Sequence, residues 1–152
     1  MDFTSYIQPD GIVLLQETTK TEALLRLADA AAALGRISDK DQLIKDIFYR
    51  EQLMSTGIGL GIAIPHVRFP QISTPLIVMG VQPAGINDYP SIDDEPVKIV
   101  VMILVGTNQH KEHIRLLSQI VAFLKSDDII PRLLAAPTAQ AVHTIIMESN
   151  HG

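Results

Sequence analysis

The sequence contains no cysteine and no tryptophan, and only about one residue in twenty is aromatic. Without cysteine the chain can form no disulfide framework, no thiolate metal site and no thiol nucleophile of its own. Any covalent chemistry must therefore use another side chain.

The sequence also lacks a long apolar run. The longest stretch, Ile99 to Gly106, is of strand length, whereas a membrane span needs roughly twenty apolar residues. The first residues, Met1 to Ser5, have no basic flank followed by an apolar segment, so they do not resemble a signal peptide. We expect a cytoplasmic protein.

The sequence also has no excess of positive charge. Seventeen carboxylates against twelve Lys and Arg argue against a surface that neutralises many nucleic-acid phosphates. The chain of 152 residues is nearly half apolar and shows no repeat, linker or low-complexity tract. These features predict a single domain covering residues 1–152.

Apolar residues recur at helical spacing in five segments. Gly35 is placed to end the first helix, and Ser38 is expected to precede the second. Pro131 lies in the first turn of the fourth predicted helix, where proline is tolerated. The predicted helices are Thr19–Gly35, Asp39–Met54, His110–Lys125, Asp127–Ala136 and Thr138–Met147.

Short runs rich in β-branched residues, bounded by Pro or Gly, predict strands. The segment Gln82–Pro96, with three prolines, is predicted to be a surface loop without chemistry, containing a short hairpin at Gly85. Helices flanking strands favour an α/β fold with a mixed central β-sheet covered by helices on both faces. The predicted strands are Ile12–Leu15, Ile62–His66, Leu76–Val81 and Val97–Val105.

Three alternating glycines lead into one of these strands, and their amides are candidates for binding a phosphate. A dinucleotide-binding loop would follow a strand and open a helix, whereas these glycines follow a helix and precede a β-like run. No Gly-Lys-Ser/Thr follows, so a Walker-type loop is excluded as well. The three residues are Gly57, Gly59 and Gly61.

His66 ends this segment on a backbone that Pro65 stiffens. Near neutral pH an imidazole can offer one nitrogen as a nucleophile while the other is held by a hydrogen bond. Arg50 can present a guanidinium to phosphate oxygens, Thr56 a hydroxyl, and His113 a second imidazole if its helix lies alongside. The pattern is typical of phosphoryl transfer through His66.

Other interpretations remain open from the residues alone. Each histidine can be structural, Arg50 can cap its helix, Thr56 can begin a turn, and the glycines can form a flexible connection. His143 and His151 are expected to be structural or incidental. A zinc site is a further alternative, with His110 and His113 on one helical face and His66 as third ligand.

The run from Arg50 to His66, REQLMSTGIGLGIAIPH, closely resembles the active-site signature of enzyme IIA domains of the fructose–mannitol class. These domains belong to the phosphoenolpyruvate-dependent sugar phosphotransferase system, and the group includes the nitrogen-regulatory enzyme IIA proteins. The resemblance continues at residues 94–99 and 112–118, and it covers the chain from about Ile12 to Met147. Val67 departs from it, since the family usually has a small residue after the histidine.

The resemblance implies that His66 is phosphorylated, with His113 and Arg50 beside it and Thr56 nearby. It implies a phosphoryl donor, the histidine phosphocarrier protein, and an acceptor cysteine on an enzyme IIB domain during sugar uptake. The alternative is a free-standing regulatory module, whose affinity for target proteins is switched by phosphorylation of His66. Neither hypothesis requires a cofactor, a metal ion or a nucleic acid.

Overall fold

A computed structural model describes residues 2–149 of the chain, so His151 lies outside the described range. After a 3-10 helix (Phe3–Tyr6) come strands β1 to β6, namely Ile7–Leu14, Gly57–Gly59, Ile62–Ala63, His66–Arg68, Leu76–Ile86 and Val97–Val105. Helices α1 to α5 are Lys20–Ala33, Lys40–Leu53, His110–Leu124, Ile129–Ala135 and Ala139–Ser149.

All five predicted helices are confirmed within a few residues at their ends. The second helix is capped by Asp39 and not by Ser38, because the Asp39 side chain accepts a hydrogen bond from the Gln42 amide.

The six strands form one mixed sheet in the order β1-β5-β6-β3-β2, and β4 also pairs with β6. The β5–β6 pair is antiparallel, whereas β1 runs parallel to β5, and β3 and β4 run parallel to β6. Strand β6 is central, and eight of its nine residues are buried. This explains its continuous apolar sequence, which is typical of a strand covered on both faces.

Alternate residues of β5 and β6 face opposite sides of the sheet. On one side Val78, Val100 and Met102 pack with α1 and α2, whereas on the other Met79 and Val101 pack with α3, α4 and α5. Helices therefore cover both faces, and the predicted fold class is confirmed. Among residues 2–149, no helix combines the length and apolar character needed to cross a membrane.

Two strand predictions need correction. The predicted strand Ile62–His66 is split into β3 and β4, because Ile64 and Pro65 interrupt the sheet and proline has no amide proton to donate. The predicted hairpin at Gly85 is wrong, since β5 continues to Ile86 through a register shift in which Gly85 has a φ of 91°.

The rest of the predicted surface loop is also less exposed than expected. Ile86 and Tyr89 are buried, and the Tyr89 hydroxyl reaches side chains at the end of α2. Polar residues and prolines around these two positions concealed their burial in the sequence. The loop therefore contributes to the surroundings of the candidate site.

Candidate active site

His66 is the first residue of β4, where its backbone is in register with Ile103 of the central strand. Its Nδ1 lies 3.0 Å from the carbonyl oxygen of Ile64. A carbonyl can only accept, so Nδ1 carries the proton and donates it. The remaining nitrogen, Nε2, therefore keeps its lone pair and is the nucleophilic atom of the ring.

Helix α3 brings a second imidazole to His66. The ring centroids of His66 and His113 are 4.5 Å apart, with the ring planes inclined at 46°. The Nε2 atom of His113 is buried and has no hydrogen-bond partner among the described residues. An unsatisfied buried nitrogen costs free energy, so this atom marks a place where a polar group can be received.

The start of α3 is fixed by Gln109, the residue before the helix. Its side chain accepts a hydrogen bond from the Gly106 amide at 2.6 Å and donates one to the Ser73 carbonyl at 2.7 Å. Because both bonds link the helix start to loops beside β5 and β6, His113 has a defined position one turn later. This is the convergence of helix and strand on which the prediction for His113 depended.

Arg50, in the last turn of α2, is the third side chain of the candidate site, after His66 and His113. Its guanidinium donates one hydrogen bond of 2.9 Å to the Met54 carbonyl, as expected for a basic residue at a helix end. A guanidinium carries several N–H donors, so others remain available. The side chain lines a cavity of about 490 Å³. The cavity is lined by Asp46, Tyr49, Arg50, Leu53, His66, Val67, Arg68, Pro70, Thr107 and His113.

Burial and nearby cations keep both imidazoles neutral. Desolvation is the largest cause that lowers the pKa of His66 below its ordinary value, and the charges of Arg50 and Arg68 lower it further. The bond to Ile64 and the charge of Glu51 oppose this shift. Burial, the His66 ring and the same arginines lower the pKa of His113 to about 4. Both rings are therefore neutral at neutral pH, each with one N–H, and His66 keeps a nucleophilic nitrogen.

We expect an NMR titration of the two imidazoles to show this directly. His113 should titrate near pH 4, and His66 below the value of about 6.5 of an unperturbed histidine. Because protonation removes the lone pair, the rate of phosphoryl uptake should stay level through neutral pH and fall only below the lowered pKa of His66. A His66 midpoint above about 6.5 would contradict the desolvation argument.

Thr56, by contrast, does not line the cavity. Its hydroxyl donates to the Glu51 carboxylate at 2.6 Å and lies 2.9 Å from the Tyr89 hydroxyl. Its predicted phosphate contact is therefore not supported by this arrangement. Thr56 is instead part of a buried polar group behind the site.

The three glycines are also absent from the cavity lining. The Gly59 amide donates to the Ser91 hydroxyl at 3.0 Å, and the Gly61 carbonyl accepts from the amides that begin β6. A Cβ on Gly57 would overlap the Pro90 carbonyl oxygen. These residues allow close approach to the loop after β5, and their role in binding phosphate stays a prediction.

Arg68 lines the cavity but was not predicted from the sequence. It lies two residues after His66 on β4, and side chains two apart in a strand share a face, which is the signal that identifies it. Its guanidinium Nη2 lies 3.0 Å from Nδ1 of His110, which accepts the hydrogen bond. The predicted zinc alternative finds no support, because no three His, Cys, Asp or Glu side chains within residues 2–149 are placed to hold a metal ion.

Comparison with known families gives a match over residues 5–149 to the model described as "Phosphoenolpyruvate-dependent sugar phosphotransferase system, EIIA 2". A fructose-specific EIIA component of Haloferax volcanii is 34% identical over 97% of this chain and 98% of its own length. A nitrogen regulatory protein of Pseudomonas aeruginosa is also 34% identical, over 88% of this chain and 86% of its own length.

Solved structures show the same fold. The nitrogen regulatory protein IIA-Ntr of Neisseria meningitidis is similar with a TM-score of 0.84 and 24% identity, covering 94% of this chain and 97% of its own. The mannitol enzyme IIA of Escherichia coli, solved in complex with phosphorylated enzyme IIB, has a TM-score of 0.75 and 20% identity, covering 93% and 99%.

Proposed function

Because the chain belongs to the EIIA 2 family of the phosphoenolpyruvate-dependent sugar phosphotransferase system and is a phosphotransferase component, we propose that His66 carries the phosphoryl group. The observation that carries the proposal is the hydrogen bond from Nδ1 of His66 to the Ile64 carbonyl. It leaves Nε2 as the nucleophile, in a cavity that also contains a guanidinium and a second imidazole.

The transfer exchanges one nitrogen–phosphorus bond for another. Nε2 of His66 attacks the phosphorus of the donor phosphohistidine, and the donor imidazole leaves with the bonding electrons. The Nδ1 proton stays on its hydrogen bond to Ile64, so the phosphorylated ring carries a positive charge. The donor, with a proton on its other ring nitrogen, leaves as a neutral imidazole. We expect Arg50 and His113, the latter as its Nε2–H tautomer, to donate to the oxygens that carry the charge of the phosphoryl group.

We further propose the histidine phosphocarrier protein as donor and an enzyme IIB cysteine as acceptor, during sugar uptake. The fructose-specific relative supports the transport role. The mannitol enzyme IIA with the same fold, solved with phosphorylated enzyme IIB, supports the acceptor. Residues 1–152 are proposed to form a single enzyme IIA domain that works in the cytoplasm without a cofactor.

The direct test supplies the protein with phosphoenolpyruvate, enzyme I and the phosphocarrier. We expect one phosphoryl group per chain, labile in acid, and a nitrogen-15 NMR signature of substitution at Nε2 of His66. Enzyme IIB should then remove the group, and its own cysteine should become phosphorylated. Phosphorylation at Nδ1, or a chain that takes up no acid-labile phosphate, contradicts the proposal.

Replacing His113 by alanine should slow both uptake and onward transfer by about a hundredfold. The variant loses the buried imidazole nitrogen that is proposed to meet the phosphoryl oxygens, while His66 keeps its bond to Ile64. Rapid-quench measurement of each step gives the two rates. His143→Ala on α5 is the matched control and should behave like wild type; an equally unaffected His113→Ala would remove His113 from the mechanism.

A regulatory role is the second candidate, favoured by the similarity to a nitrogen regulatory protein. Phosphorylation changes the charge at the cavity by up to about two units, which is enough to strengthen or abolish a charged interface. Binding of candidate targets should therefore differ between unphosphorylated and phosphorylated wild type. Equal affinity of every target for the two forms would leave only the transport role.

A further inference from the structure

A buried carboxylate lies behind the active site, and the proposed transfer does not use it. Glu51 follows Arg50 at the end of α2 and is only 5% exposed. Its Oε1 lies 3.1 Å from the Lys20 ammonium and accepts a hydrogen bond of 3.0 Å from the Tyr89 hydroxyl. The Lys20 ammonium also lies 4.6 Å from the centre of the Tyr89 ring. One carboxylate thus joins the start of α1, the end of α2 and the loop after β5.

Thr56 supplies the other contacts of this carboxylate. Its hydroxyl donates to Oε2 of Glu51 at 2.6 Å, and its amide donates to Oε1 at 3.3 Å. The carboxylate therefore receives both donor groups of Thr56 and fixes the turn between α2 and β2. A buried ion pair seldom adds stability compared with apolar packing. Stability therefore does not explain Glu51, whereas a role in positioning neighbouring groups does.

From Thr56 a continuous series of hydrogen bonds reaches the nucleophile. The Thr56 carbonyl accepts from the Ile64 amide at 3.0 Å, and the Ile64 carbonyl accepts from Nδ1 of His66 at 3.0 Å. The Ile64 amide is thus held by Thr56, and the Ile64 carbonyl holds the His66 ring. Since β3 has already ended at Ala63, Thr56 supplies the backbone partner that the sheet does not supply here.

We propose that Glu51 is a positioning residue: its buried carboxylate, acting through Thr56 and Ile64, keeps the His66 imidazole in the tautomer and orientation that present Nε2 to the cavity. The inference rests on the proposed role of His66 as phosphoryl acceptor. It assigns a task to a charged group that touches neither the cavity nor the phosphoryl group.

The first test replaces the carboxylate by its neutral isostere, Glu51→Gln. The amide has only one oxygen, so one of the two Thr56 donors, the hydroxyl or the backbone amide, loses its acceptor. The turn then loosens and the Ile64 carbonyl is less well placed. In nitrogen-15 NMR, wild-type His66 should be mainly the Nδ1–H tautomer, and the variant a mixture of tautomers. The maximal rate of uptake should fall about tenfold to a hundredfold, with little change in the phosphocarrier concentration at half-maximal rate.

The second variant, Thr56→Val, keeps the buried volume but removes the hydroxyl that joins Glu51 to the turn. It should show a smaller change in the same direction, in both tautomer and maximal rate. Asp41→Asn is the matched control, since it removes an exposed carboxylate from the same helix and should match wild type in both. If Glu51→Gln does not fold, Thr56→Val alone decides the question.

The proposal is overturned if a folded variant keeps the wild-type tautomer of His66, whether or not its rate of uptake falls. The proposed function fails differently, because wild-type protein would then take up no phosphate on His66. The tautomer measurement needs no phosphoryl donor, so it tests the positioning role in either case.

Discussion

Replacing His66 by alanine should reduce phosphoryl uptake by at least about a thousandfold, because the variant lacks the atom to which the new bond is made. The other groups of the cavity, Arg50 and His113, can bind and polarise a phosphoryl group but do not replace the nucleophile. The measurement uses radiolabelled phosphoenolpyruvate with enzyme I and the phosphocarrier, and counts the acid-labile label on the chain over time.

The control for this experiment is His143→Ala, which removes an imidazole from α5 and should leave uptake unchanged. His66→Ala should melt like wild type, since His66 is at the cavity surface and its backbone pairing with Ile103 does not require the ring. Label on His66→Ala at the wild-type level would show that another residue, with His113 the first to examine, is the acceptor.

Replacing Arg50 by alanine should slow transfer by about a hundredfold to a thousandfold. The guanidinium lines the same cavity as His66 and His113, and its charge lowers the pKa of both imidazoles. A phosphoryl group in transfer carries negative charge on its oxygens, which an oriented guanidinium can stabilise. Arg50→Lys should recover part of the rate, because it keeps the charge but not the planar fork.

Arg26→Ala is the matched control, since Arg26 is an exposed residue of α1. It should transfer at the wild-type rate. The Arg50 variants also lose the hydrogen bond to the Met54 carbonyl, so a melting curve must accompany the rates. If Arg50→Ala is less stable but transfers as fast as wild type, the residue serves only to cap α2.

The sequence predicts best the elements whose own residues determine their form. Helices α1, α2 and α3 each bury one face, and this appears as helical spacing of apolar residues. Strand β6 is buried on both faces and appears as an unbroken apolar run. Strand β1 was predicted too short, because Pro9, Asp10 and Gly11 weaken the pattern in a strand that extends from Ile7.

The candidate site was predicted only in part, for a physical reason. Arg50, His66 and His113 carry chemistry in their side chains, and the structure brings all three to one cavity. Glu51 and Tyr89 are different, since nothing in the sequence shows that a carboxylate and a distant tyrosine are buried together. Such contacts arise from tertiary packing between separate elements, which spacing along the chain does not record.

The rim of the cavity differs from its floor in how strongly the fold constrains it. Tyr49 and Leu53 line the opening, and each is 65% exposed. Substitution at such positions usually changes stability by less than about 0.5 kcal/mol. His66, in contrast, is held by the pairing of β4 with β6 and by its hydrogen bond to the Ile64 carbonyl. Divergence after gene duplication can therefore reshape the rim for a new partner protein while the backbone that positions His66 stays unchanged.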